Sequence, residues 1–131
     1  MDHRILGDIL GAITSGNPGS AALIATAAGT RISGEVAFQI VTPAWGAVDN
    51  ILILPPPVPG MIIVIAGTAT GGELRTSAPA TIGINGGTGA DAESAIAANM
   101  MVLLICESAT NWKGLTIASN GVVTTLQVAA P

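Results

Sequence analysis

Runs of apolar residues, separated by short polar, Gly-rich or Pro-rich stretches, dominate the pattern of this 131-residue chain. Turn-forming residues such as Pro43, Asn50 and Pro79 lie between the runs. Short apolar segments with turns at regular spacing are typical of an all-β protein. We therefore predict strands over residues 35–41, 51–54, 61–66, 73–76, 80–84 and 100–106.

Three of these runs, ILIL, MIIVI and MMVLLIC, are apolar at every position rather than at alternate ones. Strands of that kind are usually covered on both faces. A small domain covers one face of a sheet with its own core, so the second face needs a neighbouring subunit. The pattern predicts an oligomer. Its expected interface residues are Ile51, Ile53, Ile63, Ile65, Val102, Leu104 and Trp112.

The C-terminal region has the pattern of a hairpin. Residues 115–118 and 122–128 flank Ser119-Asn120-Gly121, and Asn-Gly favours the two positive-φ positions of a type I′ turn. We predict that turn here.

The first 30 residues have a different pattern. Five apolar residues near the start have the spacing of one face of a short helix, which the sequence Gly-Asn-Pro-Gly at 16–19 ends. Such a helix is too short to be stable alone and must dock on a partner. Residues 20–30 either continue it or lie extended. We predict an arm over 1–30 and a β-rich body over 31–131. The apolar stripe of the arm is Ile5, Leu6, Ile9, Leu10 and Ile13.

Composition also indicates an assembling protein. Only 9% of residues are charged, against about 25% in typical globular domains, and soluble monomers seldom expose large apolar patches. The net charge is −4, and the four cationic residues are scattered singly. Nucleic-acid binding requires clustered Lys and Arg, so we expect no nucleic-acid partner.

The mean hydropathy of +0.67 raises the question of a membrane protein. The best candidate span, residues 51–67, contains four prolines, which no helix accommodates. The N-terminus also lacks a secretory pattern. We expect a soluble, unprocessed chain with no membrane partner. Its single Cys106 is predicted to be a small buried residue.

Candidate chemistry is sparse. Residues 87–92 match the dinucleotide-binding pattern G-x-G-x-x-A and precede a possible helix over 92–99. That helix is short, and the chain lacks room for a doubly wound sheet. We therefore favour a loop over a nucleotide site. Asp91 and Glu93 are too few for a calcium site, and His3 has no ligand partners. Trp45 and Trp112 suit packing anchors better than a sugar-binding platform. We expect no catalysis, no cofactor and no metal.

The order of features between Asn50 and Gly114 resembles a known module. A strand ended by Leu54-Pro55 leads to a Pro-rich turn closed by Gly60 and to a second strand; an I-x-G-like loop, an apolar strand and Asn111-Trp112 follow. About half the chain thus resembles a module of bacteriophage tail fibres, head fibres and capsid decoration proteins. The resemblance implies a trimeric virion component: a small β-sandwich or jelly-roll-like body with an N-terminal arm.

The favoured function is therefore a capsid decoration or cement protein. We expect a homotrimer, made in the host cytoplasm, that binds the outer surface of the phage head and stabilises contacts between capsomers. The arm would contact the major capsid protein. A trimeric tail- or head-fibre module that binds a host surface is the alternative, but the chain is short and has no long fibrous repeat. A small nucleotide-binding enzyme is a distant third hypothesis.

Overall fold

A computed structural model describes residues 21–131, and these residues form eleven strands and no helix. The strands are β1 (Ala21–Ile24), β2 (Thr30–Arg31), β3 (Phe38–Ala44), β4 (Ile51–Ile53), β5 (Ile62–Ile65), β6 (Gly72–Arg75), β7 (Gly83–Ile84), β8 (Glu93–Ile96), β9 (Met101–Ser108), β10 (Asn111–Ile117) and β11 (Val123–Thr125).

The strands form two sheets with one core between them. The larger sheet has seven strands in the order β1-β3-β5-β9-β10-β11, with β7 beside β10, and the smaller has four in the order β2-β4-β6-β8. Fully buried side chains of the small sheet, such as Leu52 and Leu74, share the core with Ile63 and Leu104 of the large sheet. The predicted all-β sandwich is confirmed.

The first six strands alternate between the two sheets. Within each sheet the consecutive strands are parallel: Ala21 lies beside Val41 and Phe38 beside Ile62 in the large sheet, and Ile51 beside Glu73 in the small one. The chain therefore winds as stacked coils, as in a solenoid. From β8 onward it reverses direction, because β8 and β9 run antiparallel to β6 and β5, and β9, β10 and β11 form an antiparallel meander.

Some local predictions were wrong. The predicted strand 35–41 lies at Phe38–Ala44 and includes Pro43, which we expected in a turn. Pro43 is tolerated because its backbone nitrogen lies on the β5 side of β3, and the pairing of β3 with β5 ends at Val41, so no ladder hydrogen bond needs the missing N–H. Residues 78–82 form a turn rather than a strand, with the Ile82 amide donating to the Ala78 carbonyl at 2.8 Å.

The boundary between arm and body also changes. Ala21–Ile24 pairs with β3, and Thr30–Arg31 pairs with β4. Residues 21–30 therefore belong to the two sheets, and neither the helical option nor the boundary after residue 30 holds. The Thr30 hydroxyl donates to the Ile24 carbonyl at 2.6 Å and ties these strands together. The apolar stripe predicted for the arm lies outside the described residues.

The C-terminal hairpin is present, but its turn is not type I′. The Gly121 amide donates to the Ala118 carbonyl at 2.8 Å, and the Ala118 amide donates to the Val122 carbonyl at 2.9 Å. Gly121 has φ 84°, whereas Asn120 has no positive φ. This pattern is a three-residue loop, a type I turn followed by a glycine bulge. Glycine is still required, at one position instead of two.

Both tryptophans are packing residues. Trp112 is fully buried and Trp45 is 3% exposed. Trp45 lies across Gly72, where a Cβ would overlap the indole ring. The prediction of packing anchors is confirmed, and neither ring is exposed as a sugar platform.

In the described part of the chain, we find no helix of the length and apolarity that crossing a membrane requires.

Candidate assembly surface

Five of the seven predicted interface residues lie in the core of a single chain. Ile63, Ile65, Val102, Leu104 and Trp112 are each 0% exposed. While the chain keeps this fold, these side chains cannot contact a second subunit. The prediction is wrong for these five residues, because they face the core of their own chain. Of the other two, Ile51 is 5% exposed and Ile53 is half-buried, and both lie on the small sheet.

The residues that alternate with the core positions form a broad apolar surface on the large sheet. Burial alternates strictly along β5 and β9, so the outward residues of these strands point away from the core. We call this surface the apolar face. It consists of Phe38, Ile40, Ile62, Val64, Met101, Leu103, Ile105, Leu115, Ile117 and Val123.

Strand register arranges these side chains in rows across the sheet. In the central row, Ile40 lies beside Val64, Val64 beside Leu103, and Leu103 beside Leu115. A second row joins Phe38, Ile62 and Ile105, and a third joins Met101, Ile117 and Val123. Ile40, Ile105 and Leu115 are about 40% exposed, at 37%, 41% and 40%. The rows therefore form one contiguous patch.

Charge is confined to one end of the apolar face. Among the described residues, Lys113 on β10 lies beside Ile105, and its Nζ is 3.9 Å from Oε1 of Glu107. Both side chains are largely solvated, at 58% and 43% exposed, and an ion pair of that kind contributes little. Thr125, beside Leu115, ends the central row with a hydroxyl, and the ten residues of the face carry no charge.

A depression of about 450 Å³ lies in the half of the face formed by β9, β10 and β11. Leu103, Ile105 and Leu115 line it together with Asn85, Lys113, Gly114, Thr125 and Val128. None of the lining residues comes from β3 or β5. The two halves of the apolar face therefore differ in shape.

Asn85 lines this depression and is bonded to the backbone on both sides of it. Its side-chain amide donates to the carbonyls of Gly114 at 3.1 Å and Leu126 at 2.7 Å, while its Oδ1 accepts from the Gly114 amide at 3.0 Å. These bonds hold the chain after β11 against β10. Asn85 has φ 53°, a conformation that asparagine tolerates better than most residues. The sequence signal for this backbone conformation is the run Asn85-Gly86-Gly87, which is typical of a turn.

The outer face of the small sheet is different. Arg31, Ile53, Arg75 and Glu93 form one row across its strands, and Arg75 Nη2 donates to Glu93 Oε1. The pKa of Glu73 is raised because its carboxyl shares a hydrogen bond with Glu93, and burial and the Glu93 charge act in the same direction. This face is charged and suited to water.

The other candidate residues that the structure describes lie away from the apolar face. Residues 87–92 lead into strand β8, not a helix, and a Cβ on Gly87 would overlap the Ala129 carbonyl, so this loop is packed against the C-terminal segment. The described residues contain no cluster of three or more metal-binding side chains. Cys106 is buried and its thiol donates to the Ser108 carbonyl at 3.1 Å; burial raises the pKa of this thiol. His3 lies outside the described residues.

Comparisons of the chain with protein families, curated proteins and solved structures found no match. The apolar face is interpreted below from its own geometry.

Proposed function

We propose that this protein is a structural component of a phage virion, a capsid decoration or cement protein. In this proposal it binds the outer surface of the head as a homotrimer and stabilises contacts between capsomers. It has no catalytic role and needs no cofactor. The observation that carries the proposal is the apolar face of the large sheet.

The apolar face supports a role in assembly. Apolar rows cross five neighbouring strands, with charge at one end only. The largest apolar patch of a typical monomer is about 300–600 Å² and is often functional. A chain that presents such a face on a rigid sandwich is built to be covered by protein. An enzyme would instead need a concave site with converging polar groups.

The virion assignment rests on the resemblance of residues 50–114 to phage fibre and decoration modules. In the structure, the features that carry this resemblance lie at strand boundaries. Pro55 follows β4, and Gly60 precedes β5 with φ 95° and donates its amide to the Cys106 carbonyl at 2.9 Å. Asn111 and Trp112 begin β10. These positions support reading the segment as one module.

In the proposal, the N-terminal arm makes the contact with the major capsid protein. Its apolar stripe, Ile5, Leu6, Ile9, Leu10 and Ile13, has too few neighbouring charges to favour a free helix in water. The body would hold the trimer, and the arm would hold the shell.

The test compares the full chain with a chain that lacks residues 1–17. Both are mixed with undecorated phage heads, and binding is measured by co-sedimentation; oligomeric mass is measured by light scattering. We expect both to be trimers and only the full chain to bind. A control that replaces Ile5 and Ile9 with Ser should bind weakly while keeping the trimer.

Two results would overturn parts of the proposal. Normal decoration by the truncated chain would place the capsid contact in the body and refute the clamp. Antibody labelling of virions at tails or fibres, with none on head shells, would favour the alternative of a fibre module that binds a host surface.

A further inference from the structure

We propose that a second copy of this chain covers the apolar face. The β3–β5 half of the face in one subunit contacts the β9–β11 half in the next, and the contact repeats around a threefold axis. This inference rests on the proposed homotrimer and assigns its interface.

The charge distribution favours a copy of the same chain over a foreign surface. The cores of protein interfaces are depleted in charged residues, and homo-oligomer interfaces are the more apolar ones. The rows of the apolar face contain one charged residue, Lys113, at the end near Glu107. Such a surface offers no pattern of charges with which to select a different partner. A second copy supplies a matching apolar face by construction.

The size of the face also fits. The ten residues of the apolar face, spaced by about 4.8 Å between strands and about 6.8 Å along a strand, cover about 330 Å² in projection. The accessible area of protruding side chains is larger than the projection. The face therefore lies in the range of about 300–600 Å² of the largest apolar patches on protein surfaces, which are often functional.

The difference between the halves favours a ring over a twofold pair. A threefold ring requires a heterologous contact, in which two different patches meet. The β9–β11 half contains the depression lined by Leu103 and Leu115. The β3–β5 half contributes none of its lining and presents Phe38 and Ile40 instead. One half is shaped to receive side chains that the other half provides.

The rest of the sandwich is compatible with this arrangement. With the apolar faces turned toward the threefold axis, the small sheets lie on the outside. Their outer faces present Arg31, Arg75 and Glu93, which suit water. The ring would bury the apolar face of each subunit and leave the charged outer face of the small sheet in water.

The experiment uses cysteine cross-linking in the full chain. Ile40→Cys and Leu115→Cys are made singly and together. In one chain these positions lie three strands apart in the same row, about 14 Å, so a shorter thiol-specific linker cannot join them within a subunit. Wild-type protein is the background control, because Cys106 is 1% exposed and its thiol pKa is raised.

The expected products are specific. The double variant should give covalent trimers on a denaturing gel, because every junction can be linked. A co-expressed mixture of the two single variants should give covalent dimers only. Each single variant alone should stay monomeric on the gel.

Other products would overturn the inference. Self-linking of Ile40→Cys alone, or dimers as the final product of the double variant, would indicate a twofold pair. A native trimer with no cross-links would place the interface elsewhere and leave the proposed decoration function standing. A native monomer would refute the homotrimer itself. Failure to bind phage heads, with covalent trimers formed, would count against the function and not against this interface.

Discussion

The two outer faces of the sandwich have opposite character. On the large sheet, rows of Ile, Val, Leu, Met and Phe cross five strands, with Lys113 as the charged member of those rows. On the small sheet, Arg31, Arg75, Glu73 and Glu93 occupy outward positions. Both faces are exposed in a single chain, but only the charged face of the small sheet is suited to contact with water. In our proposal, the charged face stays in water and the apolar face is covered by protein.

A run that is apolar at every position does not by itself show which sheet has the apolar outer face. The run ILIL is as uniformly apolar as MIIVI, but it forms β4 of the charged sheet. There the outward Ile53 is half-buried beside Gly29, where a Cβ would lie 2.6 Å from Cδ1 of Ile53. Local packing covers this run without a second subunit. Only the neighbouring strands β3, β5, β9 and β10 together present a large apolar patch, which a second subunit covers in our proposal.

The largest effect is expected from Leu104→Lys, on the inner face of β9. Leu104 is 0% exposed in the core, so the ammonium would be buried without a partner, at a cost of about 3–5 kcal/mol. We expect aggregation or loss of the cooperative unfolding transition, measured by circular dichroism. A folded trimer with wild-type stability would contradict the assignment of the inner face.

The adjacent residue should behave differently. Leu103→Lys points to the apolar face and should leave the fold intact, since Leu103 is only half-buried in one chain. The particle mass from light scattering should fall from three chains to one. Ala95→Lys, on the outer face of the small sheet, is the matched control and should leave the mass unchanged. The same particle mass for both variants would contradict the proposed difference between the two outer faces.

A smaller effect is expected from Gly121→Val. The hairpin loop holds Gly121 at φ 84°, which a β-branched residue resists, so we expect a loss of about 1–3 kcal/mol. The hairpin positions Val123 beside Ile117 at the border of the apolar face, so trimer formation should weaken together with stability. Ser119→Ala in the same loop should be close to neutral. An unchanged melting temperature for Gly121→Val would refute the bulged turn.

The smallest effect is expected on the charged face, from Glu73→Gln. The folded-state pKa of Glu73 is raised, so the folded chain binds this proton more strongly than the unfolded chain does. The protonated Glu73 side chain therefore stabilises the folded state at low pH. This contribution to the free energy of unfolding is lost as the pH rises through the raised pKa. At pH 7 the variant should be slightly more stable than wild type, on the order of a few tenths of a kcal/mol because the site is partly solvated. The gain should vanish near pH 4 in thermal melts. A gain that grows as the pH falls would contradict the raised pKa.

The sequence alone predicted much of the local structure. Turn residues and apolar runs located β4, β5, β6, β9 and the C-terminal hairpin to within a few residues, because these signals act over short distances. It also identified residues 87–92 as a loop. Low charge and doubly apolar runs pointed to an oligomer, which stays a prediction.

Long-range pairing decided what the sequence could not. In a run such as MMVLLIC, odd and even positions are equally apolar, so the period-two signal that separates the core face from the outer face is absent. Register with β5 and β10 places Leu104 inside and Leu103 outside. Long-range pairing also explains β8, where a segment predicted as a helix forms a strand because it pairs with β6. It likewise explains β1, which forms a strand because it pairs with β3. The backbone groups of these strands gain hydrogen bonds only from partners far away in the chain. That is why tertiary structure, and not local sequence, determined which side chains of the large sheet point outward.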